Sequence, residues 1–284
     1  MSFLSSLVAV QARRDSLLCV GLDPEPDRFP PPWRGDASRV FDFCARIVDA
    51  TKDLVCAYKP QIAYFAAHRA EEQLERLMAY IRRVAPEVPV ILDAKRGDIG
   101  STAAQYAREA FVRYQADAVT LSPFMGFDSI EPYLSYDGRG LILLCRTSNP
   151  GGGDLQDQVL ANGDRLYEHI AKLAAGPWNR GGRLGLVVGA TFPAEVARVR
   201  DLAPTLPLLI PGIGAQGGDA QATVAAGWRT GGPIIVNSSR AVLYAGADEA
   251  FATAAREVAR ATREQLAAAR VAARREPSDS VNRP

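Results

Sequence analysis

Eight short apolar runs, each followed by a stretch of helical periodicity, constrain this chain more than any other feature. The runs lie at residues 17–22, 54–58, 88–92, 118–121, 140–145, 184–188, 206–210 and 234–236. Apolar strands without alternation are covered on both faces, which is the signature of a parallel sheet. Parallel neighbours need crossovers, and amphipathic stripes between the runs supply them. Val40, Phe41, Cys44, Ile47 and Val48 form one stripe, and Leu74, Leu77, Met78 and Ile81 form another in a helix predicted over 65–83. Further helices are predicted over 103–114, 128–134, 166–173, 194–202, 219–226 and 248–273. Eight strand–helix units in 284 residues predict an α/β fold, a single (βα)8 or TIM barrel spanning residues 1–273. A doubly wound open sheet is the other architecture this order allows. Ahead of the first strand, Phe3, Leu4 and Leu7 to Val10 predict an amphipathic capping helix. No positive charge precedes it and Arg13-Arg14 follow, the wrong polarity for a secretory signal. The polar, Pro-containing residues 274–284 are expected to be a disordered tail.

A net charge of +1 without blocks of like charge argues against a nucleic-acid or anionic-membrane partner and for a small molecule. No uninterrupted run of about 18 apolar residues exists, so no membrane span is expected. Cys19, Cys44, Cys56 and Cys145 lack C-x-x-C spacing and sit in apolar surroundings, the pattern of buried thiols in a reducing, cytoplasmic compartment. Only four of the 33 basic residues are lysines, and two of these, Lys59 and Lys95, fall at strand ends. Arginine replaces lysine as a surface charge but does not release a proton near neutral pH, so lysines retained at such positions point to proton chemistry.

Active sites of such barrels lie at the C-terminal ends of the strands. Read around the ring, those ends are Asp23, Lys59, Asp93 with Lys95, Ser122, Thr147-Ser148, Gly189 to Thr191, Pro211 to Gly218, and Asn237 to Arg240. Alternation along the third strand puts Asp93 and Lys95 on one face, able to share a cavity. Asp98 and Thr102 share a face of the following helix and point elsewhere. Either these groups do chemistry, or they form an ion-pair plug at the barrel mouth with an ordinary helix start beside it. Gly212-Ile213-Gly214-Ala215-Gln216-Gly217 matches G-x-G-x-x-G, but Asn237 stands where a dinucleotide site needs an acid. A phosphate site built from loop amides with Gln216 and Arg240 is the better reading, against glycines that merely make tight turns. His68 and His169 fall on helices away from strand ends. No His/Cys/Asp cluster has zinc-ligand spacing, whereas magnesium on the strand-end carboxylates stays open.

The segment Asp93-Ala94-Lys95-Arg96-Gly97-Asp98-Ile99-Gly100-Ser101-Thr102 closely resembles the D-x-K-x-x-D-I-x-x-T signature of orotidine 5′-phosphate decarboxylases. Lys59, Asp23, Ser148-Asn149-Pro150, Pro211, Gln216 and Arg240 match further positions of that family, in order along nearly the whole barrel. Asn237-Ser238-Ser239 departs from it, standing where compact relatives have glycine. The resemblance implies decarboxylation of orotidine 5′-monophosphate to uridine 5′-monophosphate and carbon dioxide, the last step of de novo pyrimidine nucleotide synthesis, with neither metal nor cofactor. It implies a catalytic set of Lys59, Asp93, Lys95 and Asp98, and a substrate-binding set of Asp23, Thr102, Ser148, Pro211, Gln216, Ser239 and Arg240. It further implies a homodimer in which Asp98 and Thr102 enter the neighbouring subunit's site. A magnesium-dependent sugar-phosphate decarboxylase or aldolase of the same barrel group is the alternative, and a silent nucleotide-binding barrel a third reading.

Overall fold

In the computed structural model, which describes residues 1–213, 219–228 and 232–275, the strand–helix order runs as the periodicity predicts. The elements are α1 (Phe3–Arg14), β1 (Leu18–Leu22), α2 (Val40–Thr51), β2 (Ala57–Pro60), α3 (Ile62–Ala66), α4 (Glu71–Val84), β3 (Ile91–Arg96), α5 (Gly100–Arg108), β4 (Ala118–Leu121) and β5 (Gly140–Arg146). They continue with α6 (Gly153–Gln156), α7 (Leu166–Ala175), β6 (Leu184–Val188), α8 (Pro193–Leu202), β7 (Leu208–Pro211), α9 (Ala220–Gly227), β8 (Ile234–Ser238), α10 (Arg240–Leu243) and α11 (Phe251–Arg275).

All strand pairs are parallel, in the order β2-β1-β8-β7-β6-β5-β4-β3. Bridges from Tyr58 to Val90 and from Gln61 to Asp93 join the two ends, so the sheet closes into a barrel and the open-sheet alternative falls. The hydrophobic core has two layers. Leu18, Val20, Leu92, Val119 and their counterparts face outward against the helices. Cys19, Ala57, Ile91, Ala118, Ile142, Val187, Leu209 and Ile235 fill the barrel interior. Phe3, Leu7 and Val10 of α1 close that interior from the N-terminal end of the strands. A Cβ on Gly140 would overlap the Phe3 ring, so only glycine lets the helix seat there. Gln11, beside them, donates to the Ile234 carbonyl at 2.6 Å.

Local departures have physical causes. The single helix expected over 65–83 is two, α3 and α4, because Arg69 turns into the left-handed region at φ 52°. The helix expected over 103–114 is α5 extended by a π turn at Glu109–Arg113. The short helix near 128–134 is a pair of 3₁₀ turns, Phe127–Ser129 and Glu131–Ser135. The last helix starts at Phe251 rather than 248 and is described through Arg275, past the expected tail boundary, while residues 276–284 lie outside the described residues. All four cysteines are buried and free. No described helix is long and apolar enough to cross a membrane.

Candidate active site

A cavity of about 350 Å³ opens at the C-terminal ends of the strands, lined on one side by Asp23, Lys59, Asp93 and Lys95 and on the other by Pro211, Asn237, Ser239 and Arg240. Gln61 and Tyr64 form part of its wall and were not anticipated from the sequence. A cavity of similar volume lies at the opposite end beneath α1, but its lining holds neither carboxylate nor lysine.

The acidic and basic groups alternate in space. The Lys59 ammonium stands 4.0 Å from Asp23 and 2.7 Å from Asp93 Oδ2, and Lys95 Nζ donates to Asp93 Oδ1 at 2.6 Å. Lys59 and Asp93 are about 5% and 6% exposed, so neither charge would persist there alone. Burial pushes the Asp93 carboxyl up, yet Lys59 and Lys95 outweigh it and hold the group far below the usual carboxylate range. Burial likewise opposes the Lys59 charge, and Asp93 with Asp23 outweigh it, raising Lys59 well above an ordinary lysine. The Lys95 side chain is nearly half exposed and lies along the cavity wall. Its backbone sits in the left-handed region at φ 46°.

Asp93 and Lys95 therefore meet, as alternation predicts, but by another route. The β3–β4 register runs Leu92 to Val119 and then Arg96 to Leu121, so Asp93, Ala94 and Lys95 together stand opposite the single residue Thr120. The triplet that carries Asp93 and Lys95 is a bulge.

Asp23 is fixed through its backbone: Tyr244 donates its hydroxyl to the Asp23 carbonyl at 3.0 Å and accepts the Glu25 N–H at 2.6 Å. Asp23 Oδ1 and Asn237 Oδ1 are buried acceptors without a hydrogen-bond donor among the described residues. Ser239 approaches β1 so closely that a Cβ on Gly21 would collide with its hydroxyl. Arg240 is exposed at the rim, at the first position of α10. Ser148 lies on the loop after β5, outside the cavity lining, with its backbone passing where a Cβ on Gly189 would come within 2.8 Å. Arg146, at the end of β5, fastens that loop through Glu195 at 2.6 Å and Asp157 at 3.1 Å. Gln216 lies outside the described residues, as do its neighbours 214–218.

Asp98 and Thr102 do not line the cavity. Asp98 precedes α5 instead of sharing a helical face with Thr102, because Ile99 is the N-cap; the Asp98 carboxylate accepts the Ile99 N–H at 2.8 Å. Thr102 is exposed in the first turn. Among the described residues, no group of three or more His, Cys, Asp and Glu side chains is arranged to hold a metal ion.

A closed parallel barrel with a lysine–carboxylate array in a cavity at its strand ends is the arrangement of a (βα)8-barrel enzyme. The model of the "Orotidine 5'-phosphate decarboxylase / HUMPS family" matches residues 16–256, and the chain belongs to that family. It is 77% identical over 278 residues to an orotidine 5'-phosphate decarboxylase from Methylibium petroleiphilum, covering 95% of this chain and all of that one. A relative of the same name from Paracidovorax citrulli is 74% identical over 273 residues, again covering 95% of this chain and all of its own. Among solved structures, the OMP decarboxylase of Leishmania donovani superimposes with a TM-score of 0.82 at 40% identity, over 95% of this chain and 99% of that one.

Proposed function

We propose that this chain decarboxylates orotidine 5′-monophosphate to uridine 5′-monophosphate and carbon dioxide, closing de novo pyrimidine nucleotide synthesis in the cytoplasm. The observation that carries the reading is the alternating Asp23, Lys59, Asp93 and Lys95 array in a strand-end cavity of a chain of this family. When the bond from C6 to the carboxylate breaks, carbon dioxide leaves and the electron pair stays on C6. The Lys95 ammonium faces that position, stabilises the pair and delivers a proton to it, and solvent returns a proton to Lys95. Asp93 beside the substrate carboxylate repels it by about 4 kcal/mol at about 4 Å and an effective dielectric of about 20. Even full relief of that repulsion gives about three decades in rate, while enzymatic accelerations draw on about 8–23 kcal/mol, so stabilisation of the carbanion by a preorganised Lys95 carries the larger share.

The rest of the site follows from what the substrate offers. The orphaned acceptors on Asp23 and Asn237 match ribose hydroxyl donors. Arg240 and Ser239, with Pro211 and Gln216 on the loop after β7, suit the phosphate, and the Ser148 loop covers the pyrimidine. Asp98 and Thr102, turned away from their own cavity, complete the site of the neighbouring subunit in a homodimer. No metal or cofactor enters this scheme, and neither nucleic acid nor a membrane is a partner. Turnover is read as the loss of orotidine 5′-monophosphate ultraviolet absorbance in excess chelator. Full activity there supports the proposal; inactivity that magnesium restores would transfer the chain to the sugar-phosphate reading.

A further inference from the structure

Thr120 is buried in β4 at 1% exposure, and nothing in the sequence distinguishes it from the apolar residues around it. Its hydroxyl makes three hydrogen bonds at once. Oγ1 accepts the backbone N–H of Ala94 at 3.0 Å and that of Lys95 at 3.0 Å, and it lies 2.8 Å from Asp93 Oδ1. A hydroxyl has two acceptor sites and one proton. Backbone N–H groups only donate, so they occupy both acceptor sites and the hydroxyl proton must go to Asp93. One oxygen thus replaces the ladder acceptors that the bulge lost and clamps the carboxylate that the bulge presents.

We infer that Thr120 is a positioning residue of the decarboxylation site, setting Asp93 and Lys95 jointly through this one hydroxyl. The inference rests on the decarboxylase reading above. Three observations converge on it. The bulge contains Asp93 and Lys95, and Thr120 is the only β4 residue opposite it. Lys95 holds φ 46°, a left-handed conformation that a β-strand residue adopts only when its surroundings enforce it, and the bond from its own N–H to Thr120 is such a restraint. Asp93 Oδ1 receives both Thr120 and Lys95 while Oδ2 receives Lys59, so the carboxylate plane is fixed at both oxygens. Without Thr120, two partly buried backbone N–H groups lose their acceptor and Asp93 is free to turn toward its lysines.

The test compares Thr120→Val, which keeps the shape and removes the hydroxyl, with Thr120→Ser, which keeps the hydroxyl. Displacement of reacting groups by about 1 Å costs on the order of 10²-fold in rate. Thr120→Val should lose about that much kcat on orotidine 5′-monophosphate while KM and uridine 5′-monophosphate affinity change less than about threefold, and Thr120→Ser should recover kcat to within about fivefold of the wild type. Hydrogen exchange at the Ala94 and Lys95 amides should accelerate in Thr120→Val and stay slow in Thr120→Ser. Wild-type kcat in Thr120→Val, or equal loss in both variants at native thermal stability, would overturn the inference. A wild-type chain that turns nothing over refutes the decarboxylase reading instead, and the exchange at those two amides then decides alone whether Thr120 holds the bulge.

Discussion

Asp93 owes its charge to two lysines, and that dependence has a pH signature. An unfolded aspartate titrates near 3.9, while Lys59 and Lys95 hold the folded one far lower. A carboxyl with a depressed folded value adds stability that is complete above about pH 4 and is lost as the pH falls from there. Lys59 is the mirror image: it is raised by Asp93 and Asp23, so its contribution is complete below about pH 10 and disappears as the pH climbs through the raised value. The stability difference between the wild type and Asp93→Asn, read from urea midpoints, should therefore stay level from about pH 8 to pH 5 and narrow below about pH 4. A difference that changes around pH 6–7 would mean that Asp93 is not held as an ion. These two residues were legible in the sequence because a carboxylate and a rare lysine at apolar strand ends are costly to bury unless they serve each other. Thr120 was not legible: a lone hydroxyl in an apolar strand looks like an ordinary β-branched residue, and only the register of the neighbouring strand exposes its partners.

Elements of this barrel are tied together by arginines that the sequence presents as surface charge. Arg200 on α8 is 1% exposed and meets no carboxylate among the described residues; it donates instead to the carbonyls of Gly227, Ala203, Pro204, Leu206, Gly232 and Pro233 at 2.7–3.3 Å. Burial pulls its pKa down to about 10, which still leaves it charged at neutral pH. Those carbonyls belong to the end of α9 and to the turns that lead into β7 and β8, so one side chain sets where both strands begin. Arg200→Met would leave these acceptors to water that has little room to enter, and it should cost about 3 kcal/mol in denaturant unfolding. Because β7 and β8 end at Pro211 and Ser238, beside Ser239 and Arg240, the same variant should raise KM for orotidine 5′-monophosphate more than it lowers kcat. Periodicity revealed these helices and strands but could not reveal the convergence. An arginine on an amphipathic helix is normally solvated, and its six carbonyl partners are scattered between residues 203 and 233. The β3 bulge and the helix break at Arg69 were hidden for a related reason, since each is a backbone conformation imposed by neighbours rather than favoured by the local residues.

At the scale of the whole molecule, the apolar seal and the charged cavity occupy opposite ends of the barrel. Phe3, Leu7 and Val10 seal one end, and the ion-pair array opens at the other. Truncating Phe3 to Ala should cost about 3 kcal/mol of stability while leaving the kcat of the folded enzyme unchanged. The stretch from β3 into α5 does not divide so cleanly. Asp93 and Lys95 line their own cavity, whereas Asp98 and Thr102, a few residues on, lie outside it. A site built from Lys95 of one subunit and Asp98 of another makes a quantitative prediction. On that proposal, Lys95→Ala and Asp98→Ala homodimers would each lack one required group in both sites. After random exchange of equal amounts, half of the dimers are mixed, and each mixed dimer holds one site with both groups intact and one with neither. Activity should therefore rise from near zero to about a quarter of the wild-type value. If each subunit used its own Asp98, every site in the mixture would still carry a lesion, and verified exchange would restore nothing.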